Sequence, residues 1–247
     1  MPDDLARAWA FLDRADMAGN RTVPSRVGTA VYDDELPLRL DSNFLRVELK
    51  ATPEEVLSEA ERLGRRMIVF RSTEEGERLA PFFAERGWLV RRHLLMAQLR
   101  KPDRNGDHEL VAEVAEEELR GARQRVVADE PWGKPEVMAQ LFAAKHRIGE
   151  RARARFFAVR VAGEVVSYSD LYQDDADAQV EDVGTLPEHR GHGYATAVVT
   201  AAVAAARADG AEFVFLVADL EDWPKELYRK LGFDELGYFV KLVLPGV

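Results

Sequence analysis

The chain has 247 residues, nearly half of them apolar, which suits one large or two small folded domains and excludes a disordered chain. Its formal charge of −10 argues against a nucleic-acid or anionic-membrane binder and weakly favours a cationic partner such as an amine. Cysteine is absent, which removes disulfides, thiolate metal sites and a cysteine nucleophile, and the five histidines show no metal-ligand spacing.

The acidic start, Met1-Pro2-Asp3-Asp4, lacks the basic and apolar regions of a signal peptide. No apolar run reaches membrane-spanning length, so the expectation is a cytoplasmic protein, a monomer or homodimer. Residues 3–18 read as an amphipathic helix, followed by short strands over 26–32 and 44–49. Thr52-Pro53-Glu54-Glu55 has the chemistry of a helix start, and Gly64 that of its end. A buried strand over 66–71, a helix over 75–86 closed by Gly87, and a strand over 88–99 complete the first part. Residues 101–107 (K-P-D-R-N-G-D) are polar, with Pro and Gly, and read as a linker.

After it come a strand over 109–114 and a helix over 116–128, in which Glu116, Glu117 and Glu118 read as a solvated first turn. Residues 130–135 break the pattern before a helix over 136–147. Strands over 155–162 and 165–173 flank a two-residue turn at Gly163-Glu164. Asp174, Asp175 and Asp177 lack the glycine and distal Glu of a calcium loop and read as a solvated hairpin tip. A β-type run (Val180, Val183, Leu186) then stops at Pro187, and an alanine/valine helix begins after a basic glycine loop. A strand over 212–219, a helix over 225–231 and a strand over 237–244 end the chain. Residues 82–88 (F-F-A-E-R-G-W) line up with 227–233 (L-Y-R-K-L-G-F), and apolar strands flank both, so a tandem repeat is expected.

The glycine loop carries the chemistry. Gly191 and Gly193 remove side-chain obstruction just where a helix N-terminus presents unsatisfied N–H groups, a ready phosphate site. A dinucleotide fingerprint would need Gly or Ala at Thr196, and a P-loop would need Lys-Ser/Thr after the glycines. Arg190-Gly191-His192-Gly193-Tyr194-Ala195 fits R/Q-x-x-G-x-G/A and resembles the pyrophosphate loop of the GNAT superfamily of N-acetyltransferases. The resemblance is specific over about 156–244.

It implies an α/β (α+β) fold, a mixed, mostly antiparallel sheet flanked by helices, in two tandem copies: a degenerate domain over 1–104 and a catalytic one over 105–247. It also implies acetyl-CoA as cosubstrate, no metal, and a small-molecule or peptidyl amine as acceptor. Backbone groups of Val183, Gly184 and Thr185 would hold the pantetheine arm. Arg190, Gly191, His192, Gly193, Tyr194, Ala195 and Thr196 would hold the pyrophosphate. Tyr228, in Y-x-x-x-G-F, would be the acid for the leaving thiolate, where the first half has Phe83. Strand alternation lets at most one of Glu181 and Asp182 face the acceptor. Glu181 is the choice for general base, with a structural ion pair as the other reading. Trp132 would face the substrate or anchor a loop. Glu221 departs from the family's Asn and puts one pantetheine contact in doubt. Two rival readings are a non-catalytic acyl-CoA sensor and a scaffold with both halves degenerate.

Overall fold

The computed structural model describes residues 2–17, 20–128, 130, 133–149 and 152–246. In chain order the elements begin with α1 (Pro2–Met17), β1 (Arg21–Pro24), β2 (Gly28–Tyr32), β3 (Leu45–Val47), α2 (Pro53–Arg62) and β4 (Met67–Phe70). Next are α3 (Thr73–Ala84), β5 (Leu89–Gln98), β6 (Val111–Val114), α4 (Glu116–Val126), α5 (Pro135–Gly149) and β7 (Arg153–Val161). The chain ends with β8 (Glu164–Asp174), β9 (Asp177–Thr185), α6 (Tyr194–Ala208), β10 (Phe213–Asp219), α7 (Pro224–Lys230) and β11 (Phe233–Val243). Most bounds follow the expected ones. The β7–β8 hairpin turns one residue early, at Ala162-Gly163, both at positive φ (50° and 86°), as a two-residue turn of the favoured hand requires. Asp177 is no solvated tip: it starts β9, and Arg7 holds its Oδ1. Among the described residues no helix is long and apolar enough to cross a membrane.

The chain forms two compact units, and they are interleaved in sequence rather than divided at residue 104. The larger comprises Met1–Phe11, Met96–Val217 and Trp223–Leu236; the smaller comprises Leu12–Leu95, Ala218–Asp222 and Gly237–Val247. Strand pairing explains the interleaving. In the smaller unit β11 pairs antiparallel with β4, from Val240↔Phe70 to Val243↔Met67, which joins the last strand of the chain to its first part. The expected linker over 101–107 is bound down within the larger unit. The Asp103 N–H donates to Lys230 O at 2.8 Å, and the Gly106 N–H donates to Thr200 Oγ1 at 3.2 Å.

Both units hold mixed, mostly antiparallel sheets with helices against them. The larger has the order β10-β9-β8-β7-β6, with β6 to β9 antiparallel and β9–β10 parallel. Its core joins Leu119 and Ala122 of α4, Ala197 and Val198 of α6, and Tyr168 of β8. The smaller has the order β1-β2-β3-β4-β11, with β3–β4 parallel. Its core joins Val56, Leu79, Phe83, Trp88 and Val240. The order β3-α2-β4-α3-β5 thus matches β9-α6-β10-α7-β11, each with a parallel strand pair around the first helix. The aligned stretches land in matching places. Phe83 meets Trp88 edge-on at 5.3 Å, and Tyr228 meets Phe233 edge-on at 6.2 Å.

Candidate active site

The site is built where β9 leaves its parallel neighbour. Among the described residues β9 and β10 pair only from Phe213↔Asp177 to Phe215↔Gln179, although β9 runs on to Thr185. On its other side β9 stays paired with β8, from Glu181↔Asp170 to Thr185↔Ser167, with a register shift between Tyr168 and Asp170. That shift is a bulge centred on Asp182, whose φ is +51°. A bulge bends its strand, and among the described residues no strand pairs with the far edge of Val183, Gly184 and Thr185. Gly184 is required for another reason: a Cβ there would lie 2.3 Å from the Tyr168 ring. Its carbonyl accepts the Ser167 hydroxyl at 3.0 Å, and the Thr185 carbonyl accepts Arg190 Nε at 3.4 Å.

A short turn at Pro187–His189 leads to the glycine loop. Gly191 and Gly193 both have φ +81°, which a side chain disfavours, and the space around each is open. Gly193 is the N-cap of α6 and offers no side-chain acceptor; the first turn holds no acid. Among the described residues the backbone N–H groups of residues 191–196 have no partner; the first helical bond is from the Ala197 N–H to Gly193 O at 3.0 Å. The N-terminus of a fifteen-residue helix is therefore open to an anion. His192 stacks on Tyr194 at 5.6 Å and turns Nδ1 back to the Arg190 carbonyl at 3.0 Å. Arg104, from the expected linker, reaches Thr196 Oγ1 at 3.4 Å. Among the described residues neither Arg104 nor Arg190 pairs with a carboxylate, so both leave positive charge beside the loop.

Beneath the bulge lies a charged cluster. Arg123 on α4 is 3% exposed and contacts Glu116 Oε1 at 2.8 Å, Asp182 Oδ2 at 2.8 Å, and Asp170 Oδ1. Lys145 on α5 contacts Asp170 Oδ2 at 2.7 Å, Asp182 Oδ2 at 2.8 Å and Glu181 Oε2 at 3.5 Å. The Tyr172 hydroxyl donates to Asp170 Oδ2 at 2.7 Å. Burial works against the Lys145 ammonium, but Asp170 and Asp182 outweigh it and hold its pKa well above the usual lysine value. Carboxylate oxygens of Asp170, Glu181 and Asp182 lie within 4.8 Å of one another. The strict alternation expected for Glu181 and Asp182 therefore fails: the bulge turns both onto the Lys145 side. Glu116 is no solvated charge but is 8% exposed and bonded to Arg123. Glu181 is 42% exposed at its side chain, open enough to meet a substrate.

Tyr228 lies in α7 of the larger unit and is 8% exposed. Glu221 belongs to the smaller unit, where Arg92 Nη1 holds its Oε1 at 2.8 Å. Trp132 lies outside the described residues. The sequence reading missed Arg104, Arg123, Lys145 and Asp170. Asp170 alone carried a signal, as an acid inside the apolar run V-V-S-Y-S-D-L-Y.

The fold is similar to that of a functionally unknown conserved protein from Staphylococcus epidermidis, at 17% identity and TM-score 0.69 over 93% of this chain and 95% of that one. It is also similar to a GCN5-related N-acetyltransferase from Kribbella flavida, at 20% identity and TM-score 0.61 over 100% and 96%. A third, an acetyltransferase from the GNAT family of Colwellia psychrerythraea, shares 16% identity and TM-score 0.54 over 98% and 96%. At these identities the likeness is one of fold. No curated protein matches the chain in sequence. The sequence model of the acetyltransferase (GNAT) family matches residues 112–233, the stretch that holds the bulged strand, the glycine loop and Tyr228. Over that stretch the chain belongs to the GNAT family.

Proposed function

We propose that the protein is an acetyl-CoA-dependent N-acetyltransferase acting by direct attack of a primary amine of a small molecule or peptide. In this reading the chain carries two copies of the fold, and only the later copy keeps a cofactor site. One observation carries it: among the described residues the N–H groups of 191–196 have no partner, at a helix with no side-chain cap, next to the stretch of β9 that β10 does not pair with. A pyrophosphate fits the first, and an extended amide-bearing arm fits the second. The open space at Gly191 and Gly193 accepts such a group, since nothing lies within 4 Å of a Cβ built at either position.

When bound, acetyl-CoA supplies an acetyl group activated as a thioester. The chain's own residues then have two proton tasks. Glu181 takes a proton from the acceptor's ammonium, through water, so that a neutral nitrogen attacks. The Tyr228 hydroxyl gives its proton to the sulfur as the carbon–sulfur bond breaks, and the proton that the attacking nitrogen sheds on becoming an amide restores the hydroxyl. Arg190 and Arg104 offset charge on the phosphates.

The test is thiol release from acetyl-CoA across a panel of primary amines, alongside calorimetric binding of acetyl-CoA. Binding with turnover on at least one amine is expected. Absence of binding would overturn the reading. Binding without thiol release on any amine would leave a non-catalytic acyl-CoA sensor, which keeps the glycine loop but has no need of Tyr228.

A further inference from the structure

Asp182 is one of three non-glycine residues at positive φ among those described. Ala162 and Asp175, the other two, sit in hairpin turns; Asp182 lies inside a strand. A residue with a Cβ adopts this backbone only where its surroundings over-determine it. Two cations from two helices converge on a single oxygen of Asp182. Arg123 Nε and Lys145 Nζ each lie 2.8 Å from Oδ2. Both are braced from behind by Asp170, which is 0% exposed, and Arg123 also by Glu116. A charge pair buried for local reasons would be indifferent to the backbone angle of one of its members. Here the bracket sits on the bulge, and pairing with β10 has already stopped three residues earlier, at Gln179.

We infer that Arg123 and Lys145 are positioning residues that clamp Asp182 in its left-handed conformation and thereby hold β9 in the bent shape that receives the acyl carrier's amide-bearing arm. The last clause rests on the proposed acetyl-CoA site; the clamp on the strand does not. Cations from α4 and α5 can act this way because they are anchored at Asp170, so the position of Oδ2 is set by the helices rather than by β9. Glycine at position 182 would need no clamp, since it adopts positive φ without a steric penalty. This separates a clamp from a merely stabilising ion cluster.

Lys145→Met removes one arm with little change of length. It is expected to weaken acetyl-CoA binding by about tenfold, the effect of releasing backbone strain of this order. The double variant Lys145→Met with Asp182→Gly is expected to return to within about twofold of the parent, although it lacks more of the cluster than the single variant. A single variant that binds like the parent, or a double variant as weak as the single, would overturn the inference. Should the unpaired charge of Asp170 unfold the single variant, the same comparison is made with Asp170→Asn in both proteins. Amide hydrogen exchange over residues 180–185 in the unliganded proteins reads the strand directly. It should change in Lys145→Met and return with Asp182→Gly. If the parent binds no acetyl-CoA, the proposed function falls, and the exchange comparison alone upholds or overturns the clamp.

Discussion

α2 and α6 occupy matching places in the order of strands and helices, each between two parallel strands, yet their N-termini differ in chemistry. At α2, the Thr52 side chain takes the Glu55 N–H at 3.2 Å, and Glu55 Oε2 takes the Thr52 N–H at 2.8 Å. Glu54 and Glu55 add negative charge to the first turn, so the positive end of the helix is answered from within. At α6 the cap is Gly193, the first turn has no acid, and among the described residues the N–H groups of 191–196 have no partner. A few residues decide whether the same architecture closes on itself or presents an anion site.

Gly193→Asp should convert α6 to the condition of α2, with a carboxylate over the open donors. Acetyl-CoA is expected to stabilise the parent by about 2.7 kcal/mol at a hundredfold excess over its dissociation constant, and this variant by nothing measurable. Thermal unfolding with and without ligand reads the difference. A folded variant with undiminished affinity would show that the loop is only a turn.

Tyr228→Phe extends the comparison to the helix that follows. Phe83 already fills the matching position against Trp88, so the fold should tolerate the change with about 1 kcal/mol lost, the scale of one hydrogen bond. Acetyl-CoA affinity should hold, turnover should fall about a hundredfold, and the high-pH limb of the rate profile should weaken. Turnover within about threefold of the parent would return Tyr228 to the role that Phe83 plays.

The features that local chemistry decides were legible in the sequence. The α2 cap, the glycine loop and the match of residues 82–88 with 227–233 each depend on a few adjacent residues. Features made by distant partners were not. Arg123 meets Asp182 across 59 positions and Asp170 across 47, and nothing at Arg123 itself signals a buried cation. The rule that neighbouring strand residues point apart misplaced Glu181 and Asp182, because it holds only for an unbroken ladder. The linker reading of residues 101–107 followed polarity correctly but could not show that Gly106 bonds to Thr200 or that Arg104 reaches Thr196. The placement of β11 beside β4 is likewise a pairing that no short window contains.

Both units bury paired carboxylates, Asp170 in the larger and Glu59 in the smaller, and the smaller also holds His93 stacked on Phe239 at 5.3 Å as a neutral ring. Burial, helped by the Lys241 ammonium, lowers its pKa to about 3. Because the folded value lies below that of the unfolded chain, the contribution is intact above about pH 6.5 and is lost as the pH falls toward 3. Between about pH 6 and 4 this group should cost the protein about 1 kcal/mol per pH unit, and His93→Phe should flatten that slope. Denaturant midpoints across the range measure it; an unchanged slope in the variant would assign the acid sensitivity to other groups.

The smallest expected effect is the most direct check on the reading that the smaller unit holds no cofactor site. Thr52→Ala removes the acceptor that closes α2, and should lower stability by about 1 kcal/mol, the usual cost of losing such a cap. Turnover and acetyl-CoA affinity should not change, since the proposed site in the larger unit is untouched. More telling is the binding stoichiometry. If the cap alone kept α2 closed, uncapping it would create a second, weak site for acetyl-CoA. The residues around it predict that it will not. Glu54 and Glu55 remain in the first turn and repel phosphate, and the approach through Lys50 and Ala51 has no glycine to bring the backbone close. Calorimetry should therefore still give one site. Two sites would mean that a single threonine separates the two helix ends, and that the acids and the missing glycines are incidental.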